Sequence, residues 1–109
     1  MSINKVILIG NVGQDPAVKS FEGGKRASFS LATSETYLGR NGEKVTQTEW
    51  HNIIVWRALA DVVDKYVKKG SQIYVEGKIT NRSWEDNDGT TRHSTEIVAE
   101  TIRLLGSKQ

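Results

Sequence analysis

The chain has 109 residues, a hydrophobic share of 37%, no cysteine, and 15 Lys and Arg against 13 Asp and Glu, for a net charge of +2. That length fits one domain with one core and leaves little material to enclose a deep catalytic cleft. Without cysteine there are no disulfides or thiolate metal sites, and His51 and His93 lack ligand-like spacing, so no metal or other cofactor is expected.

The first apolar run, Val6 to Ile9, is far too short to span a bilayer, and Met1 to Lys5 lacks the basic start and long apolar stretch of a signal peptide. The expected compartment is the cytoplasm, with no membrane partner. Val6 to Ile9 reads as a strand covered on both faces. Gly10 to Pro16 breaks that pattern, Ala17 to Phe21 is a short extended piece, and Glu22-Gly23-Gly24-Lys25 is a turn. The next strand places Ala27, Phe29 and Leu31 on one face and Ser28, Ser30 and Ala32 on the other, an alternation that predicts one wet side. Leu38 to Gln47 is polar, with Gly39 and Asn41-Gly42, and is expected to project as a hairpin or loop before a strand over Thr48 to Trp56.

The period then changes. Leu59, Val62, Val63, Tyr66 and Val67 form a helical stripe, with Gly70 as the expected cap and Lys65, Lys68 and Lys69 crowding the last turn. Gln72 to Trp84 is a long strand, Glu85 to Gly89 a turn, and Thr90 to Leu105 the last strand. Three strands, one short helix and a two-stranded hairpin make the order of an OB-fold. The expected class is therefore all-β, a five-stranded Greek-key barrel with its helix between the third and fourth strands.

Strand phasing brings chemistry into view. From Gln72 to Trp84, Ile73, Val75, Gly77 and Ile79 share one face, expected to be core; Tyr74, Glu76, Lys78, Thr80, Arg82 and Trp84 share the other. A lysine, an arginine and a tryptophan at two-residue steps suit a groove that tracks a nucleic-acid strand. On the strand before the helix, Trp50, Asn52, Ile54 and Trp56 share a face, while Ile53 and Val55 suit the barrel interior better than two indoles do. Outward tryptophans six residues apart are placed to stack successive bases, each stack contributing about 1–3 kcal/mol with little dependence on base identity. The same rings also suit core or edge packing, and phasing leaves both readings open for the tryptophans and for Tyr37. The candidate phosphate contacts are Lys5, Arg57, Lys78, Arg82 and Arg92. Each alone reads as an ordinary solvated cation, and their interleaving with aromatics is the signal.

From Asn4 to Gly106 the chain resembles the DNA-binding domain of bacterial single-stranded DNA-binding proteins. The resemblance rests on Asn4-Lys5-Val6-Ile7-Leu8-Ile9-Gly10-Asn11 with Gly13-Gln14-Asp15-Pro16 after it. It extends through Leu31-Ala32-Thr33-Ser34-Glu35, Thr48-Glu49-Trp50-His51, and Lys69-Gly70-Ser71-Gln72-Ile73-Tyr74-Val75-Glu76-Gly77. It implies an OB-fold domain over 1–106 with a short remnant at 107–109, assembly into a homotetramer, and single-stranded DNA wrapped on its surface in replication, recombination and repair. It also implies base stacking at Tyr37, Trp50, Trp56 and Trp84, subunit contacts at His51, Gln72 and Tyr74, and a nucleoid-associated place in the cytoplasm. Members often carry Trp at the position of Tyr37 and Phe at that of Trp56; both exchanges keep a π-face. Members usually continue into a flexible linker with an acidic tip that recruits other enzymes. This chain ends in Ser107-Lys108-Gln109, so tail-mediated recruitment is not expected.

Two other classes compete. A docking module built on the same barrel would form a dimer with weak DNA affinity. An enzyme finds little support: Gly10-Asn11-Val12-Gly13 lacks the spacing of a phosphate-cradling loop, and Asp86 and Asp88 read as turn residues.

Overall fold

The computed structural model describes residues 1–105; the expected domain end at Gly106 and the remnant at 107–109 lie outside the described residues. Its elements are β1 (Val6–Val12), β2 (Ala17–Phe21), β3 (Gly24–Leu38), β4 (Lys44–Trp56), α1 (Arg57–Tyr66), β5 (Gln72–Glu85) and β6 (Thr91–Leu104). Hydrogen-bonded neighbours run β1-β5-β6-β4-β3, and a short β1–β3 pairing closes the ring into a five-stranded barrel. The sixth strand, β2, pairs only with β3, so the expected five-strand OB-fold holds with β2 as an edge piece. All pairings are antiparallel except a brief parallel one, Ile53 with Ile97 and Ile54 with Val98. No helix among the described residues is long and apolar enough to cross a membrane.

The alternating residues fill the barrel as their periodicity predicts. Ala27, Phe29 and Leu31 of β3, Ile53 and Val55 of β4, and Ile73 and Val75 of β5 are all buried, meeting Ile97, Ala99 and Ile102 of β6. Helix α1 closes one end of this core with Ala60 and Val63, followed by Val67.

Several expectations need correction. β1 is not covered on both faces: Val6 and Leu8 pack on the core, whereas Ile7 and Ile9 are more than half exposed. β1 also does not stop before Gly10. The strand passes from β5 to β3 at Asn11, and a Cβ on Gly10 just before it would collide with the carbonyl oxygen of Ala32. On β5 the core ends at Gly77, and Ile79 is 45% exposed. The cause lies in the register, which steps from Glu76–Thr101 to Gly77–Ala99 and leaves Glu100 as an extra residue that bends the β5–β6 hairpin off the barrel. In α1 only part of the stripe turns inward, and Val62 and Tyr66 face solvent. The helix ends at Val67, whose N–H donates to the Val63 carbonyl. Gly70 instead forms the following turn at φ +89°, donating to Val12, and Lys68 and Lys69 fall beyond the helix.

Both long hairpins project from the barrel. β3 and β4 stay paired out to Leu38–Lys44, so most of the polar Leu38–Gln47 segment is ordered strand with its tip at Gly39 to Glu43. Cross-strand hydroxyl pairs, Ser34–Thr48 at 2.9 Å and Thr36–Thr46 at 3.2 Å, stand in for a core there. The radius of gyration, 16.2 Å, exceeds the ~13 Å typical of a 100-residue globule because of these arms.

Candidate nucleic-acid interface

The wet faces of β3 and β4 form one continuous surface. Register sets Trp50 opposite Ala32, Asn52 opposite Ser30, Ile54 opposite Ser28 and Trp56 opposite Arg26. Arg82, Ser94 and Glu96 from the β5–β6 hairpin complete an open groove over Arg26, Ser28, Ser30, Asn52 and Ile54. Ile54, on the outward side of β4, is nevertheless almost fully buried, sealed where β4 meets β6.

All three tryptophans stand outside the barrel: Trp50 is 61% exposed, and Trp56 and Trp84 are 41% exposed. Trp50 and Trp56 lie six residues apart on β4, ~20 Å along an extended strand. Each ring has its own support. A Cβ on Gly13 would come within 2.5 Å of Trp50 Cζ3, so the indole lies against bare backbone just after β1. Trp56 meets the Phe21 ring in a T-shaped contact, centroids 5.9 Å apart, and the Arg26 guanidinium sits 5.7 Å from its centre. Trp84 carries the Arg82 guanidinium at 4.7 Å. Arg82 Nε donates to Glu96 Oε2 at 3.2 Å, which holds the guanidinium in place and balances the one buried charged residue among those described.

The other cations are dispersed. Lys5 is ion-paired with Glu76 at 3.1 Å, away from the groove lining, and Arg92 Nε donates to Asp86 at 2.8 Å at the hairpin tip. The Arg92 bond draws the Asp86 carboxyl below its ordinary range, and the Asp88 and Thr90 amides that Asp86 also accepts add to the effect. Lys78 is exposed and makes no ion pair among the described residues. Arg57 opens α1 at a left-handed φ of 55° and lines a separate depression with Gly24, Lys25 and Asp61. Tyr37 is exposed on the projecting hairpin opposite Val45, remote from the three indoles in sequence register.

The residues expected at subunit contacts do not share the groove. His51 Nε2 is 2.9 Å from the Thr33 hydroxyl, and Gln72 pairs with Asn11 where β5 meets β1. The Tyr74 hydroxyl donates to Glu76 at 2.8 Å beside Thr101 and Arg103. That bond, with Lys5 second, holds the Glu76 carboxyl low, and the same bond, with burial second, raises the Tyr74 phenol.

Sequence reasoning missed Arg26, Phe21, Glu96 and the seat at Gly13. Arg26 was within reach, since it shares the Ser28–Ser30 face by plain alternation. Phe21 and Glu96 had no such signal, because their contacts are made from one strand to another.

A closed Greek-key barrel whose open groove is edged by indoles and guanidinium groups defines an OB-fold protein with an aromatic, basic face. The chain matches the single-strand binding protein family over residues 3–105 and belongs to it. It is 47% identical over 109 residues to the single-stranded DNA-binding proteins of two Neisseria meningitidis strains, and 51% identical over 111 residues to that of Bacteroides thetaiotaomicron. These alignments cover 99% of the chain but 63% of the Neisseria proteins and 69% of the Bacteroides one, so it spans under two thirds of the Neisseria length. Among solved structures, it superposes on Plasmodium falciparum SSB, in a complex with ssDNA, with a TM-score of 0.88 at 39% identity, covering 97% of each chain.

Proposed function

We propose that the chain binds single-stranded DNA with little regard to base sequence, stacking bases on Trp50, Trp56 and Trp84, with Tyr37 as an outlying platform. Arg82, Lys78 and Arg57 meet phosphates; Lys5 and Arg92 join at the margins when they leave Glu76 and Asp86. The observation that carries this reading is the exposure of all three indoles beside a groove that also presents Arg26 and Arg82. A flat ring accepts any base, because every base has a π-face. Duplex DNA competes poorly because its bases are already stacked on one another.

In this reading the protein coats exposed strands during replication, recombination and repair, catalyses no reaction, and works in the cytoplasm on the nucleoid. It does so as a homotetramer. Support for self-association comes from β1, whose outer edge has no partner over Val6 to Gly10 among the described residues and whose outward side chains include exposed Ile7 and Ile9. His51, Gln72 and Tyr74 are the contacts proposed between subunits.

Titration of intrinsic fluorescence with oligo-dT tests the mechanism. Trp50→Ala combined with Trp84→Ala should weaken binding by about 2–6 kcal/mol, at roughly 1–3 for each stack. Unchanged affinity at fixed salt would overturn base stacking.

A further inference from the structure

Beyond the groove, β2 adds a row of side chains that the stacking reading leaves unused. Register sets Lys19 of β2 opposite Arg26 of β3, and Arg26 opposite Trp56 of β4. Directly opposed residues share a face, so two cations and an indole lie in line across three strands. Phe21, two residues along the same face of β2, reaches the Trp56 ring.

Two further observations point to an anion at this row. Like charges directly opposite each other on a sheet repel, so the Lys19–Arg26 pair works against the fold unless something negative lies between them. Neither residue makes an ion pair among the described residues, whereas Lys5, Lys25, Arg82 and Arg92 all do. The contrast with Lys25 is local. One residue from Arg26 and on the other face, it is taken up by Asp61 at 2.8 Å and Asp64 at 3.4 Å.

We propose that Lys19 and Arg26 form a phosphate-binding extension of the groove, which takes the backbone of the strand leaving Trp56 across β3 and onto β2. The proposal rests on the single-stranded DNA reading. In it, Arg26 has two partners: its guanidinium lies over the Trp56 ring, and its N–H fork, with no ion pair among the described residues, meets a phosphodiester oxygen. Lys19 supplies a second point charge one strand further out. The strand then runs across the β-strands at this end of the barrel rather than along β4.

The test is oligo-dT binding by the full chain over a series of salt concentrations, with Lys19→Ala/Arg26→Ala compared against the unaltered protein. Each lost phosphate contact should lower the slope of log affinity against log salt by about 0.7, so the double variant should lose about 1.4. The affinity gap between the two proteins should accordingly shrink about sevenfold between roughly 50 and 200 mM salt. Arg26→Lys should keep the slope, because the charge remains. A control with the same charge loss, Lys65→Ala/Lys68→Ala on the helix side, should leave it unchanged. An unaltered slope in the groove variant, or an equal fall in the control, would overturn the extension while the parent protein still binds. Failure of the parent protein itself to bind oligo-dT would instead overturn the single-stranded DNA reading.

Discussion

Trp50 owes its seat to a glycine. The indole lies where a Gly13 side chain would be, with Ser30 Oγ only 3.0 Å from the same point. Since Gly13 is not in a left-handed conformation, space rather than backbone freedom is what the glycine supplies. Gly13→Ala should therefore leave the fold intact but push the ring off its seat, weakening oligo-dT binding by as much as about 1–3 kcal/mol, the worth of one stack. In a protein whose only tryptophan is Trp50, a shift in its emission without a change in unfolding midpoint would report the displacement. Affinity equal to that of the parent would mean that the ring does not depend on its seat. Arg82 shows a second kind of support at this scale, fixed by the Glu96 carboxylate at one nitrogen and by the Trp84 face across its plane.

Between elements, the tightest junction is that of β4 and α1. Trp56 is still extended at φ −125° and ψ 150°, and Arg57 at φ +55° reverses the chain into the helix with no intervening loop. A non-glycine residue held there costs of order 1–3 kcal/mol and persists only where the surroundings impose it. Arg57→Gly should thus raise the unfolding free energy by up to about 1 kcal/mol, some of the relief being offset by the flexibility of glycine when unfolded. Chemical denaturation measures that gain, and oligo-dT binding should weaken at the same time if the guanidinium meets phosphate. A stability loss would show that Arg57 is not strained. The bulge at Glu100 acts at the same scale. On β5 the core ends at Gly77, and beyond it β5 carries Arg82 to the groove with Trp84 beside it.

For the whole molecule, the open edge is the feature that a single chain leaves unresolved. An unpaired strand edge with alternating exposed isoleucines invites pairing with another chain, and no charge on the outward side of β1 between Ile7 and Ile9 opposes it. Ile7→Glu/Ile9→Glu should break the proposed tetramer into smaller species by light scattering while preserving the folded spectrum, because both side chains already face solvent in the isolated chain. Persistence of a tetramer in that variant would place the interface elsewhere. The groove lies on β3 and β4 and this edge on β1, so the proposed strand binding and the proposed self-association use separate surfaces.

The sequence alone determined the barrel, the order of its strands and which side of β3 and β4 is wet. Those follow from period-two alternation and one helical stripe, which are local properties of the chain. Ala27, Phe29, Leu31, Ile53 and Val55 lie inside as their spacing requires, and Trp50 and Trp56 lie outside for the same reason. Tertiary structure alone decided the rest: the exposure of Ile79 after a bulge, the burial of Ile54 against β6, the seat at Gly13, the pairing of Lys5 and Arg92 with carboxylates, and the row from Lys19 through Arg26 to Trp56. Each depends on how one strand or turn meets another, and side-chain alternation within one strand carries no information about which residue of another strand it will face.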